Sequence, residues 1–236
     1  LHNFFSRCLK AKRYEELEPI LHKIRAVPVT TQQVRKFHLE SLFSLELNYY
    51  QLTGDYDRAL ALIPTIEKED AALHAKVRKQ HRFTLLFNVL TTYIYVGKYR
   101  PALTYANRIL DMGSVIPQVY NMTRLLIIII HTGLRDYDML DAVIRSTYRN
   151  LKKQGHLFEV ETIILRHLRR LGDIPDKQEQ HTLLLQLRAE LTRMLENAHE
   201  ARALELFDFF SWIDAQIHGC TAAEKQKPAY IPPHPL

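Results

Sequence analysis

The sequence predicts an all-α chain of antiparallel helix hairpins stacked as an α-α superhelix, and three observations carry that prediction. Apolar residues recur at spacings of three and four along most of the chain. The breaks between these stripes are short and carry the chemistry of helix ends. Only 7 of 236 residues are glycine, whereas Leu, Glu, Lys, Arg and Ala are common, a composition that favours helices over tight-turned sheets.

The stripes are explicit at Tyr14, Leu17, Leu21 and Ile24, and again at Leu184, Leu187, Leu191, Met194 and Ala198. Helices are expected near 1–11, 14–26, 31–53, 56–68, 72–96, 99–111, 117–132, 136–153, 157–171, 177–198 and 200–218. Thr30-Thr31-Gln32-Gln33 and Asp176-Lys177-Gln178-Glu179 have the capping-box pattern, in which a side-chain oxygen takes an orphan N–H of the first turn. Gly54, Gly97, Gly133 and Gly172 fall where helices should stop, since glycine takes the left-handed closing conformation without steric cost. Short loops make neighbouring helices antiparallel. The segment 200–218 reads as a cap, with Leu206, Phe207, Phe210, Ile213 and Ile217 facing inward and Trp212 at the margin. Residues 1–219 are then one repeat domain, and the Pro-rich 220–236 an extended or disordered tail.

The turns repeat. Tyr50-Gln51-Leu52-Thr53-Gly54-Asp55-Tyr56-Asp57-Arg58-Ala59-Leu60 aligns with Tyr93-Ile94-Tyr95-Val96-Gly97-Lys98-Tyr99-Arg100-Pro101-Ala102-Leu103 at an offset of 97 − 54 = 43 residues. A weaker copy spans Ile129 to Leu140, with Gly133, Asp136 and Tyr137 but two extra residues in the turn, and a trace lies at Lys12 to Leu17. In such a unit the glycine ends one helix, the aromatic wedges between two, and the small alanine allows close approach. A single hairpin cannot bury its apolar face alone, so such units stack.

These residues resemble the tetratricopeptide repeat, clearly over 40–112 and more loosely over most of 1–172. The unit is longer than is usual in that family, and Leu47 and Leu90 stand where a small residue is normal. The resemblance implies a superhelix that binds a protein or peptide on its concave face, lined by one side of each first helix. Carried over from the glycines, that face holds Ser41, Ser44, Asn48 and Gln51, then Thr84, Phe87, Thr91 and Tyr95, then Tyr120, Thr123 and His131, with Asn88 and Arg124 beside the row. The ending Leu206 to Asp214 resembles the close of large helical-repeat proteins of Bacteroidetes.

A formal charge of +6 and a pI near 9.2 admit an acidic partner, a nucleic acid or an anionic membrane surface. The cations at Arg35-Lys36, Lys76 to Arg82, Lys152-Lys153 and Arg166 to Arg170 alternate with acidic segments, as on solvated helix faces. The longest aliphatic run, Leu125 to Ile130, is too short to cross a bilayer. Cys8 and Cys220, at opposite ends, form neither a disulfide framework nor a ligand cluster and fit a reducing, cytoplasmic setting. Because the chain begins with Leu1, it is expected to be part of something longer.

Twelve histidines raise the question of metal. His199-Glu200 lacks the second histidine of a zinc-protease helix, and Glu196-Asn197-Ala198-His199 matches one half of a di-iron motif that needs two. His74 and His81 stand among cations that oppose a bound metal. Phosphate loops and Gly-x-Ser-x-Gly elbows are absent, and Cys8 reads as a buried structural thiol. The expectation is therefore a scaffold with no catalytic site, metal or cofactor. Its partner is a protein or peptide, met at Asn48, Gln51, Phe87, Asn88, Thr91, Tyr95, Tyr120, Arg124 and His131. The alternative is a nucleic-acid-binding helical-repeat protein that uses the basic face around His74 to Arg82.

Overall fold

A computed structural model of the chain describes residues 2–28, 31–72, 79–153 and 158–229. Among these residues the regular elements are all helical. The first five are α1 His2–Lys10, α2 Leu17–Arg25 (entered through a 3-10 turn at Tyr14–Glu16), α3 Gln32–Thr53, α4 Tyr56–Ala72 and α5 Lys79–Tyr95. There follow α6 Tyr99–Asp111, α7 Pro117–Leu134, α8 Tyr137–Lys153, α9 Glu159–Asp173 and α10 Lys177–Met194. The chain ends with α11 Ala198–Ala201, α12 Phe209–His218 and α13 Ala222–Lys225. None of the described helices is long and apolar enough to cross a membrane.

Two compact units divide the chain: one takes it up to Thr92 together with the segment from Lys227, and the other runs from Tyr93 to Gln226. Within each, helices pack on their neighbours in sequence order. In addition α1 meets α3, and α7 meets α9, the next-but-one contact that successive hairpins make.

Four turns that precede a tyrosine share one backbone geometry, which Gly219 also adopts without a tyrosine after it, Cys220 N donating to Ala215 O at 3.1 Å. Lys12, Gly54, Gly97 and Arg135 are left-handed, with φ of 57°, 74°, 72° and 56°. After each, the next N–H donates five residues back: Arg13 to Cys8 and Asp55 to Tyr50 at 2.9 Å, Lys98 to Tyr93 at 2.8 Å, Asp136 to His131 at 3.0 Å. These bonds satisfy last-turn carbonyls that the helix leaves open. A tyrosine stands two residues beyond each left-handed position, at Tyr14, Tyr56, Tyr99 and Tyr137. The repeat is thus defined by the closing conformation, which glycine supplies in only two of the four cases.

This corrects the third copy. Helix α7 runs through Gly133 to Leu134, and Arg135 takes the closing place, so the turn holds no extra residues. Gly133 serves close packing instead. A Cβ there would stand 2.6 Å from Cδ2 of Tyr99 and closer still to Cε2 and Cζ. Gly172 likewise lies inside α9, 3.1 Å from a Leu140 methyl at its Cβ position, and the helix ends as Ile174 turns extended before Pro175. Leu140 occupies the register of Ala59 and Ala102, three residues after the tyrosine. Two hairpins place the small residue on their second helix. The third places a leucine there and a glycine on the helix that faces it.

The caps explain most other boundaries. Thr31 accepts from Val34 N at 3.3 Å to start α3, with Thr30 outside the described residues, and Asp176 accepts from Glu179 N at 2.8 Å to start α10. Pro117 begins α7 at a position whose N–H is not needed. The expected cap helix over 200–218 is instead broken. A 3-10 turn at Arg202–Leu204 follows α11, and α12 restarts at Asp208, whose carboxylate accepts from Ser211 N at 3.0 Å. The restart rotates the stripe. Phe207, Phe209, Trp212, Ile213 and Ala215 are buried, whereas Leu206, expected inside, is exposed. The segment beyond Gly219, expected to be extended or disordered, forms α13 under a Thr221–Glu224 capping box, packed on α12. Farther on, Ala229 N donates to Leu52 O at 2.9 Å within the first unit.

Gly97→Ala places a Cβ on a left-handed residue and is expected to cost roughly 1 kcal/mol. Gly133→Ala drives a methyl into the Tyr99 ring and is expected to cost about 1–3 kcal/mol, part of it recovered in Gly133→Ala/Tyr99→Leu. Urea denaturation of the three variants measures both. Equal losses in Gly133→Ala and in the double variant would remove the packing role assigned to Gly133.

Candidate functional site

The row expected to line a groove is held largely inside the protein. In the first unit Gln51 Nε2 donates to Asn88 O at 3.0 Å, Thr91 Oγ1 at 3.1 Å and Thr92 Oγ1 at 2.8 Å. Asn88 Nδ2 donates back to Ser44 O at 3.1 Å and Ser44 Oγ at 2.8 Å. The polar faces of α3 and α5 meet each other, and Phe87, Asn88 and Thr91 are buried between or beside them. Asn48 stays half-buried at the edge. The register carried by the resemblance identifies residues on one face of each helix. It does not say that two such faces bond across a helix pair.

The remaining members lie in the second unit. Tyr95 is buried, its ring stacked on Phe207 at 5.1 Å between centroids and its hydroxyl accepting from Asp208 N at 3.0 Å. Burial pushes its phenol far above the usual range. Tyr120 and Arg124 are half-buried and pair with each other, Nη2 to hydroxyl 3.1 Å with the guanidinium 5.1 Å from the ring centroid. His131 is buried and reaches Asp136 across the α7–α8 turn at 3.0 Å. All of these residues are brought into contact with neighbours of their own unit.

Two other sequence candidates are placed by packing. Cys8 is buried and donates to Glu16 at 3.6 Å; desolvation, then the Glu16 charge, push the thiol up, away from the activated thiolate range. His199 packs against Phe158, ring centroids 4.9 Å apart and the planes tilted by 40°. Among the described residues no three of His, Cys, Asp and Glu converge as metal ligands.

A cavity of about 230 Å³ opens at the start of α9, walled by Met122, Phe158 and Leu206 and bordered by Asn121, Glu161 and His199. Two carboxylates close the first turn of this helix. Glu161 accepts from Phe158 N at 3.1 Å, and Glu200 accepts from Val160 N at 3.0 Å. Glu161 is 5% exposed, and its pKa is pushed up to about 7 by burial, opposed by the Phe158 N–H and assisted by the Glu200 charge.

A groove of about 590 Å³ runs along the α8–α9 hairpin. Ile144 and Leu165 form its floor and Tyr148, 39% exposed, stands in it. Arg145, Arg149, Arg166, Arg169 and Arg170 line its sides, their aliphatic stems extending the apolar surface while the guanidinium heads reach water. Asp141 holds Arg145 at 2.5 Å and Arg169 at 3.1 Å, and Glu190 holds Arg166 at 2.5 Å. Among the described residues neither Arg149 nor Arg170 has an acidic partner. Lys152 lies 6.0 Å over the Tyr148 ring and extends the basic edge.

In the sequence Lys152 and Arg166 to Arg170 have the pattern of solvated faces, and Arg145 and Arg149 carry no signal of their own. The signal that joins them is register: Arg145, Tyr148, Arg149 and Lys152 share one face of α8, and Thr162, Leu165, Arg166, Arg169 and Arg170 share one face of α9. Charge and apolar surface thereby coincide instead of segregating.

The polar contact between α3 and α5 is expected to be structural: Asn88→Leu removes the donor to the Ser44 carbonyl and hydroxyl, while Gln51 keeps its bond to the residue-88 backbone, and should destabilise by roughly 1–3 kcal/mol in urea denaturation. For Glu161 the folded protein keeps its proton to about pH 7 while the unfolded chain loses it near 4.5. Folded molecules then bind more protons between these values, so stability falls as pH rises across that window, by on the order of 2–3 kcal/mol. Glu161→Gln is expected to flatten that part of the stability profile, and an unchanged slope would refute the assignment.

No family model, curated protein or solved structure matches the chain.

Proposed function

We propose that this chain is a non-catalytic scaffold of tetratricopeptide-like helix hairpins that binds a protein or peptide. The observation that carries the reading is the α8–α9 groove, where solvent-facing aromatic and apolar surface is bordered by five arginines, two of which, Arg149 and Arg170, have no acidic partner among the described residues. Aromatic and arginine side chains are the groups that dominate binding energy at protein interfaces. Two further features support the reading: hairpins closed by one repeated turn geometry, and the half-buried Tyr120–Arg124 pair, which keeps part of the expected partner-binding row accessible.

The arginines also favour a second reading, nucleic-acid binding, because guanidinium groups pair with phosphates as well as with carboxylates. The stretch that first suggested it, His74 to Arg82, lies outside the described residues up to Arg78.

Selection from a displayed library of random peptides, followed by titration in solution, tests the two against each other. The scaffold reading expects peptides that saturate one site with Kd below ~100 μM, a threshold equivalent to roughly 5–6 kcal/mol. Failure to select any such peptide, together with binding of single-stranded RNA that weakens steeply with salt, would replace it with the nucleic-acid reading.

A further inference from the structure

We propose that the α8–α9 groove is the docking site for an acidic amphipathic helix of a partner protein, a proposal that rests on the scaffold reading. The apolar stripe of that helix lies on Tyr148 and the arginine stems that cover Ile144 and Leu165, and its flanking Asp and Glu side chains pair with the guanidinium groups on either side.

Three observations select this occupant. The first is charge: five arginines line the groove, and the acids that reach them are Asp141 and Glu190 alone among the described residues. Arg149 and Arg170, one on each helix, are left to face solvent across the floor. A ligand with carboxylates along both flanks meets both, and guanidinium geometry suits bidentate carboxylates. The second is the floor. The exposed surface is largely apolar, the Tyr148 ring and the arginine stems over the buried Ile144 and Leu165, which an apolar helix face complements and a sugar-phosphate backbone does not. A single-stranded nucleic acid would need a succession of aromatic platforms, and Tyr148 is the one aromatic residue lining the groove. The third is length. The lining residues 144 to 149 of α8 span about 8 Å and residues 162 to 170 of α9 about 12 Å at 1.5 Å per residue, room for about two turns of a docked helix. This is the helix-in-groove mode, in which anchors recur at three and four residues.

The test uses the full chain and fluorescence anisotropy with four labelled probes. They are a 16-residue peptide with leucines at three/four spacing flanked by glutamates, the same peptide with lysine for glutamate, a scrambled version of the first, and a 12-nucleotide oligouridine. The glutamate peptide is expected to saturate with one-to-one stoichiometry, at least 10-fold tighter than the scrambled peptide, with no binding of the lysine peptide. Arg149→Glu/Arg170→Glu should weaken it at least 10-fold with an unchanged melting temperature, since neither arginine holds an internal carboxylate. Arg149→Gln/Arg170→Gln, which adds no new charge, should weaken it less, and Tyr148→Ala should weaken it with little change in salt dependence. Equal binding of the scrambled peptide would reduce the groove to a nonspecific basic patch and overturn the proposal. So would tighter binding of oligouridine with the same arginine dependence. If display-selected peptides bind and ignore the Arg149 and Arg170 changes, the groove assignment fails while the scaffold reading stands. If no peptide of any origin binds, both fail.

Discussion

A helix that is apolar on every side has to be enclosed, and α7 imposes that requirement on the second unit. Its run Leu125-Leu126-Ile127-Ile128-Ile129-Ile130 is buried without interruption, where an amphipathic helix would bury only one stripe. A hairpin partner covers one side. The rest is supplied because α6, α8 and α9 all pack against it. Three of the polar residues within α7 are reconciled to this burial locally: Thr123 and Thr132 donate to carbonyls one turn back at 2.8 and 2.9 Å, and His131 turns to Asp136. The hairpins before and after α7 thus have to approach it closely, and Gly133 under Tyr99 and Gly172 under Leu140 are where the approach is closest among the described glycines.

The first unit solves its packing with polar groups. Where α3 and α5 meet, side-chain amides and hydroxyls bond across the pair, and Arg25 bonds the buried Glu46 between α2 and α3 at 2.6 Å. Burial raises the Glu46 carboxyl even against that arginine. Such contacts fix register more sharply than aliphatic ones, because an amide displaced by one residue loses its partners while a leucine finds others.

Fold class, the order of the helices and most of their ends were legible in the sequence because each rests on local chemistry: stripes at three and four, Asp176 as a cap, Gly54 and Gly97 as stops. What was not legible depended on neighbours distant in sequence. Gly133 and Gly172 have the residue type of a helix stop, and only the positions of Tyr99 and Leu140 show that they are packing glycines. Trp212 was displaced from margin to core because Asp208 restarts the helix and rotates its face. The rows read as a wet groove were polar for a different reason, since Ser44, Gln51, Asn88 and Thr91 satisfy one another. The α8–α9 groove was hidden in the opposite way: its arginines look like ordinary surface charge until Ile144 and Leu165 are seen beneath them.

The left-handed turns have a further consequence. Lys12 and Arg135 adopt a conformation that costs a side chain about 1–2 kcal/mol, and both are cations standing at helix C-termini. There the aligned peptide dipoles leave a partial negative charge, which a nearby cation offsets by roughly 0.3–1 kcal/mol at low ionic strength. Part of the strain at these two turns is therefore balanced by a long-range field, whereas at Gly54 and Gly97 there is no such strain to balance. The array consequently contains two electrostatic kinds of corner. The left-handed glycines themselves add no charge to that field, whereas the cationic corners, at the exits of α1 and α7, loosen as counterions screen it.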